Sequence, residues 1–297
     1  MSVADKLREL RWRAAGHYSR PLPEHFSRPL AGSDGLEIGG PSRVFSSEGL
    51  LPVYPLLSAI DGVQWQARTV WHTLDENEGY APEGARRGVL HVVEGVDLAG
   101  IPDERYGVVL CSHVLEHLAN PLLALAAWRR VTRAGGHLLL VAPHMQGTFD
   151  HRREVTPLEH MIADLQNGTG EDDLTHLPET LSLHDRTRDS EGVGREEWER
   201  RRRENASTRV LHHHTFTTPS LLRLLDHAGL ALLAVETRRP HDIYVLGSWP
   251  AQGERPDNAA ELHRRRRSPF GRDRSQADRA LGREESRTVR APGSSAS

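Results

Sequence analysis

Apolar residues along this chain fall into short continuous runs, separated by stretches with helical spacing. Residues 35–39 predict a short strand entering a glycine turn. Residues 56–61 predict a second strand ending in an acid, with 63–70 as the alternative, and 90–97 contain a third. Tyr106–Ser112 is the clearest strand, an unbroken apolar run of the kind covered on both faces. A helical pattern follows over 121–133, with Pro121 in the first turn and Gly135-Gly136 as its stop. Residues 137–143 form a fifth strand. Residues 219–228 form a helix closed by Gly229, and 230–236 and 242–247 form an antiparallel closing pair.

Strands alternating with helices predict an α/β fold: a Rossmann-like, doubly wound, mostly parallel seven-stranded sheet with an antiparallel closing strand. Ligands of such sheets sit at the carboxyl ends of the strands, where strand order reverses. Two regions depart from this plan. Residues 145–208 are polar and rich in His, Asp, Glu and Arg, with helical fragments such as 157–165, and predict a cap insertion within a domain spanning 31–249. Residues 1–30 form an N-terminal helical segment, with Val3, Leu7, Leu10 and Ala14 on one face of 3–16. Residues 250–297 carry few large apolar side chains and predict a disordered tail.

Composition narrows the function classes. Hydrophobic residues make up 37% of the 297, and the net charge of −3 gives no bias toward nucleic acid or membrane. The arginine runs 200–203 and 264–267 lie among acids without aromatic interleaving. Cys111 is the single cysteine, which excludes an internal disulfide and suits a reducing, cytoplasmic setting. No signal sequence is legible at the N-terminus, and no apolar run reaches the roughly 20 residues needed to span a bilayer.

The turn Glu37-Ile38-Gly39-Gly40-Pro41-Ser42 brings bare backbone close to whatever lies over it. Its acid stands before the first glycine, which suits a cationic ligand better than a pyrophosphate. Leu36-Glu37-Ile38-Gly39-Gly40 resembles motif I of class I S-adenosylmethionine (SAM)-dependent methyltransferases. The similarity continues through Asp97-Leu98, Ile101-Pro102-Asp103, Tyr106–Leu110, the run from His113 to Pro121, Trp128-Arg129-Arg130-Val131 and Gly135-Gly136-His137-Leu138, an order similar to the methyltransferase type 11 group. It covers residues 30–145, and more weakly 210–248.

The resemblance implies SAM as cofactor and assigns roles by position. Gly39 and Gly40 approach its methionine part, with Glu37 near the amino group. Asp61 receives the ribose hydroxyls, Asp97 and Leu98 flank the adenine, and Ser112 and His113 lie beside the sulfonium. Ser42-Arg43 stands where the family has its third glycine. Glu116-His117 reads as helix-start packing rather than chemistry, and His113 is better placed.

The sequence holds 18 histidines, many of them in and after the insertion: His144, His151, His160, His176, His184 and the run His212-His213-His214. Three readings compete: binding a polar substrate and deprotonating its hydroxyl, holding a divalent metal, or making structural hydrogen bonds. No compact zinc spacing is present. His144 and His151, nearest the end of the fifth strand, are the base candidates. The preferred reaction is O-methylation of a sugar or other small polar metabolite. The rivals are an inactive SAM-fold partner protein and a metal-dependent enzyme.

Overall fold

The computed structural model describes residues 21–189, 191–251, 253–259 and 268–274. The expected helix at 3–16 lies outside them. Seven strands form one sheet: β1 (Asp34–Ile38), β2 (Ala59–Gln64), β3 (Leu90–Val92), β4 (Tyr106–Ser112), β5 (Thr132–Pro143), β6 (Ala231–Arg238) and β7 (Asp242–Ser248). Their order is β3-β2-β1-β4-β5-β7-β6. The first five pair in parallel, and β7 runs antiparallel to both β5 and β6. The doubly wound sheet with an antiparallel closing strand is thus present.

Both faces of the sheet are covered. Leu36, Val109 and Leu140 pack on one side with Trp128, while Ile60, Val108 and Leu139 pack on the other with Phe45 and Tyr54. Helix α1 (Pro121–Val131) begins where the Asn120 side chain accepts from Leu123 N, with Pro121 at its first position. It ends earlier than expected. Thr132 Oγ1 donates to Trp128 O at 2.6 Å, and β5 starts at once, carrying Gly135-Gly136 through a register shift instead of a helix stop.

The loop after β1 leads into no α-helix. Pro41, Pro52 and Pro55 interrupt it, and only short 3-10 turns at Arg43–Phe45 and Tyr54–Leu56 form before β2. Strand β2 begins later than the expected 56–61 and ends at Gln64. Asp61 therefore sits mid-strand, opposite Leu36, rather than at its end.

The polar insertion folds as α2 (Leu158–Asn167), α3 (Leu177–Leu183), α4 (Arg195–Arg203) and a short α5 (Asn205–Thr208). The chain then returns over the sheet, bridging Phe216 to His144, and enters α6 (Thr218–His227) through a Thr217/Ser220 capping box.

The expected disordered tail is corrected at two stretches. Asn258 is buried, accepts from Leu232 N at 2.8 Å and donates to Asp226 Oδ1 at 2.7 Å. Asp273, also buried, accepts from Thr218 N at 3.0 Å, Thr218 Oγ1 at 2.7 Å and Ser268 Oγ, and its Oδ1 lies 2.9 Å from His144 Nε2. A carboxylate at the N-terminus of α6 is favoured by the helix dipole. Asp273→Ala leaves these donors without an acceptor and costs about 1–3 kcal/mol, read as a lower urea midpoint. Among the described residues no helix is long and apolar enough to cross a membrane.

Candidate functional site

A cavity of about 700 Å³ opens at the carboxyl ends of β1, β2, β4 and β5, lined there by Ile38 and Gly39, Val63 and Gln64, Ser112, and Pro143. Strand order reverses between β1 and β4, so the cavity lies at the switch point.

The glycine loop forms one wall. Gly39 holds φ +75°, and a Cβ there would run into Val114. A Cβ at Gly40 would run into the Glu37 carboxyl group and the Tyr80 hydroxyl. Gly39, Pro41 and Ser42 face the cavity. Glu37 does not. It is fully buried behind the loop and accepts from Tyr54 Oη at 2.6 Å, Tyr80 Oη at 2.5 Å and Ser42 N at 3.0 Å. Burial pushes its pKa up against the pull of these hydrogen bonds. The expected contact with a ligand amino group is corrected: both carboxylate oxygens are already engaged in holding the loop.

Three other positions are corrected by register and burial. Asp61 accepts from Val89 N and Tyr106 Oη, each at 2.7 Å, and does not line the cavity. Gln64 and Trp65 occupy the end of β2, and Gln64 Nε2 donates to Gly40 O. Asp97 is exposed in a turn, accepting from Ala99 N at 3.0 Å, while Leu98 is buried in the core. Glu94 and Gly95 take the place beyond β3. Arg209 closes this wall, with Nη2 2.9 Å from Glu94, Nη1 2.8 Å from Glu171, and its guanidinium 4.9 Å from the Trp65 ring centroid.

Ser112 and His113 do line the cavity. The His113 ring lies 3.2 Å from Asp242 and 3.6 Å from Glu116. Burial favours the neutral ring, but hydrogen bonds and charge from Asp242 and Glu116 outweigh it and push the pKa up to about 10. His113 is therefore a cation at neutral pH and carries no lone pair for a general base. That corrects its catalytic assignment. The folded pKa exceeds the unfolded value near 6.5, so this ring's stabilisation is full below pH 6.5 and is lost as pH rises through about 10. Urea midpoints measured from pH 6.5 to 10 fall in the native protein, and His113→Gln flattens that slope.

His144 and His151 are not brought into the cavity. His144 is buried, with Nε2 at Asp273, Nδ1 accepting from Gln146 N, and its ring stacked on Phe270 at 3.9 Å. His151 lies 2.9 Å from Asp185 outside the cavity lining. The fold brings in four other histidines: His72, His117, His212 and His241. Burial, then the neighbouring His212, pull the His117 pKa down to about 3, so that ring is neutral. His212 Nδ1 lies 2.6 Å from Asp150 Oδ2, and Asp150 Oδ1 accepts from Arg153 Nη1 at 3.2 Å. Despite burial, the charge and hydrogen bond of His212, with Arg153, hold Asp150 well below the usual carboxylate range. Asp150 thus fixes the His212 tautomer and leaves Nε2 for the cavity.

Trp65 Nε1, Glu116 Oε2 and His117 Nδ1 are buried side-chain atoms of the lining with no hydrogen-bond partner among the described residues. Buried polar groups are normally paired, so these atoms stand available to a ligand or water in the cavity.

Residues 10–235 match a protein family described as a methyltransferase domain. No curated protein matches the sequence. Among solved structures, a SAM dependent methyltransferase from Aquifex aeolicus is 13% identical, with a TM-score of 0.38 over 76% of this chain and 86% of that one. N-methyltransferase NodS from Bradyrhizobium japonicum, in complex with S-adenosyl-L-homocysteine, is 10% identical, with a TM-score of 0.42 over 76% and 83%. Burkholderia thailandensis 1,6-didemethyltoxoflavin-N1-methyltransferase, with bound 1,6-didemethyltoxoflavin and S-adenosylhomocysteine, is 14% identical, with a TM-score of 0.40 over 84% and 91%. Similarities this distant identify no substrate.

Proposed function

This chain belongs to the methyltransferase-domain family and is an enzyme that uses SAM, and from that premise we propose that it methylates a hydroxyl of a sugar or other small polar metabolite. The observation that carries this reading is His212 on the cavity wall with Asp150 buried behind it.

The cavity suits the cofactor on its β1–β3 side. Gly39, Pro41 and Ser42 offer close backbone, Gln64 and Trp65 cap β2, and Glu94-Gly95 stand beyond β3. The unpartnered Trp65 Nε1 supplies a donor on that side. Bound SAM supplies an activated methyl on a sulfonium. The protein's own task is to align the acceptor and remove its proton.

The opposite wall is polar, built from Thr148, Arg188, His117, His212 and His241 around Phe149. There His212 Nε2 takes the hydroxyl proton, and Asp150 stabilises the imidazolium that forms. Cationic His113, held by Asp242 and Glu116, fixes the end of β4 beside the reacting groups.

Full-length protein incubated with methyl-labelled SAM and a panel of polyhydroxylated acceptors gives acceptor-dependent S-adenosylhomocysteine. Calorimetry with SAM and S-adenosylhomocysteine accompanies the assay. Absence of binding to either one overturns the enzyme reading in favour of a partner protein. Binding with methylation of amines alone overturns the hydroxyl acceptor.

A further inference from the structure

We propose that the cap holds a structural divalent metal ion, with zinc as the best fit, between His160, Asp164, His176 and His214. The site stands apart from the substrate cavity, whose lining includes none of these residues, and does not depend on the proposed acceptor.

The four side chains come from three segments. His160 and Asp164 are one turn apart on α2 and share a face. His176 stands immediately before α3, and His214 lies on the segment returning over the sheet. His160 Nε2 is 3.0 Å from His176 Nε2 and 3.5 Å from Asp164 Oδ2, and His214 Nε2, 3.9 Å from that same oxygen, donates to Ala119 O at 3.3 Å, which leaves the unpartnered Nδ1 as that ring's ligand atom. One ligand atom from each histidine lies within 4.8 Å of the others. Bonds of about 2.0–2.1 Å to a tetrahedral zinc place its ligand atoms about 3.3 Å apart, and the 3.0 Å and 3.5 Å separations at His160 bracket that spacing.

The site is also incomplete as a hydrogen-bonded cluster. Asp164 Oδ2 is buried without a hydrogen bond among the described residues, although Oδ1 accepts from Thr169. His214, with a side chain only 1% exposed, leaves Nδ1 unpartnered. Two Nε2 atoms facing each other at 3.0 Å carry at most one proton between them if both rings are neutral.

A supporting shell is present. His176 Nδ1 lies 3.0 Å from Glu179 Oε1, which accepts from buried Arg153 at 2.6 Å. A carboxylate behind a ligating imidazole orients the ring and raises its basicity. Three imidazoles and one carboxylate suit zinc, and four protein ligands leave no open position, so the role is structural. The ion ties α2 and the start of α3 to the returning segment that carries His212, two residues from His214.

The test is elemental analysis of untagged full-length protein. The expected result is about one equivalent of zinc, lost in Asp164→Ala and His176→Ala and kept in His212→Ala. Cobalt replacement gives the intense visible bands of a tetrahedral ion. Asp164→Cys adds a thiolate-to-cobalt charge-transfer band, a gain of signal that misfolding cannot produce. Zinc raises the thermal midpoint of the stripped protein by several degrees. Metal-free protein that shows neither cobalt bands nor a thermal shift overturns the proposal. So does metal lost with His212→Ala but kept with Asp164→Ala, which moves the ion to Glu116, His117 and His212, the trio in the cavity.

Discussion

His212→Asn lowers kcat by about 10²–10⁴-fold and leaves the dissociation constant for SAM near its native value. The ring contributes one nitrogen to Asp150 at 2.6 Å and presents the other at the cavity wall. Asparagine keeps a polar side chain of similar reach but removes the proton acceptor. Asp150→Asn acts through the same ring. It can hold the wrong tautomer, so its kcat falls too, while KM for the acceptor moves little. Arg153 then loses one of its carboxylate partners and keeps Glu179. Product release under saturating SAM measures kcat, and calorimetry measures cofactor affinity. A loss below about tenfold in His212→Asn moves the base elsewhere or makes the acceptor one that needs no deprotonation.

Glu37→Ala destabilises the protein by about 3–5 kcal/mol and weakens SAM binding at least about tenfold. The substitution takes the carboxylate acceptor from the buried hydroxyls of Tyr54 and Tyr80, of which Tyr54 keeps only Ser42 O at 3.2 Å, while Ser42 N keeps Tyr54 Oη at 2.8 Å. It also opens a cavity beneath the glycine loop. Tyr80→Phe removes one donor and leaves the carboxylate its other two, so its cost is about 1–2 kcal/mol. Urea unfolding reads the first effect and calorimetry the second. A Glu37→Ala protein of native stability would show that the buried carboxylate does not hold the loop.

How much of this was legible in the sequence depended on the range of the interactions. Tyr106–Ser112 declared itself because a strand covered on both faces is an unbroken apolar run. The end of β2 did not. The apolar run stops at Ile60-Asp61 and marks Asp61 as terminal, but parallel pairing with β1 carries the strand on to Val63 and pairing with β3 to Gln64. The cavity histidines were hidden for a related reason. Proximity in sequence to β5 favoured His144 and His151, whereas His212 arrives on a segment that returns more than sixty residues later. The three-histidine run was visible, but which of its rings faces the cavity is decided by packing. His212 faces it, while His213 pairs with Asn205 and His214 turns toward Asp164. The proposed metal ligands at 160, 164, 176 and 214 follow no compact spacing for the same reason.

The anchored aspartate at position 273 also carries the folding unit past the last strand. A chain cut after Trp249 retains all seven strands, yet it strips the acceptor from the first turn of α6 and bares the His144 ring that Phe270 covers. Such a truncation removes internal parts rather than an appendage. A protease that clips between 250 and 267 separates a plug from its socket, and the severed piece stays seated only as long as its own affinity for the body holds it there.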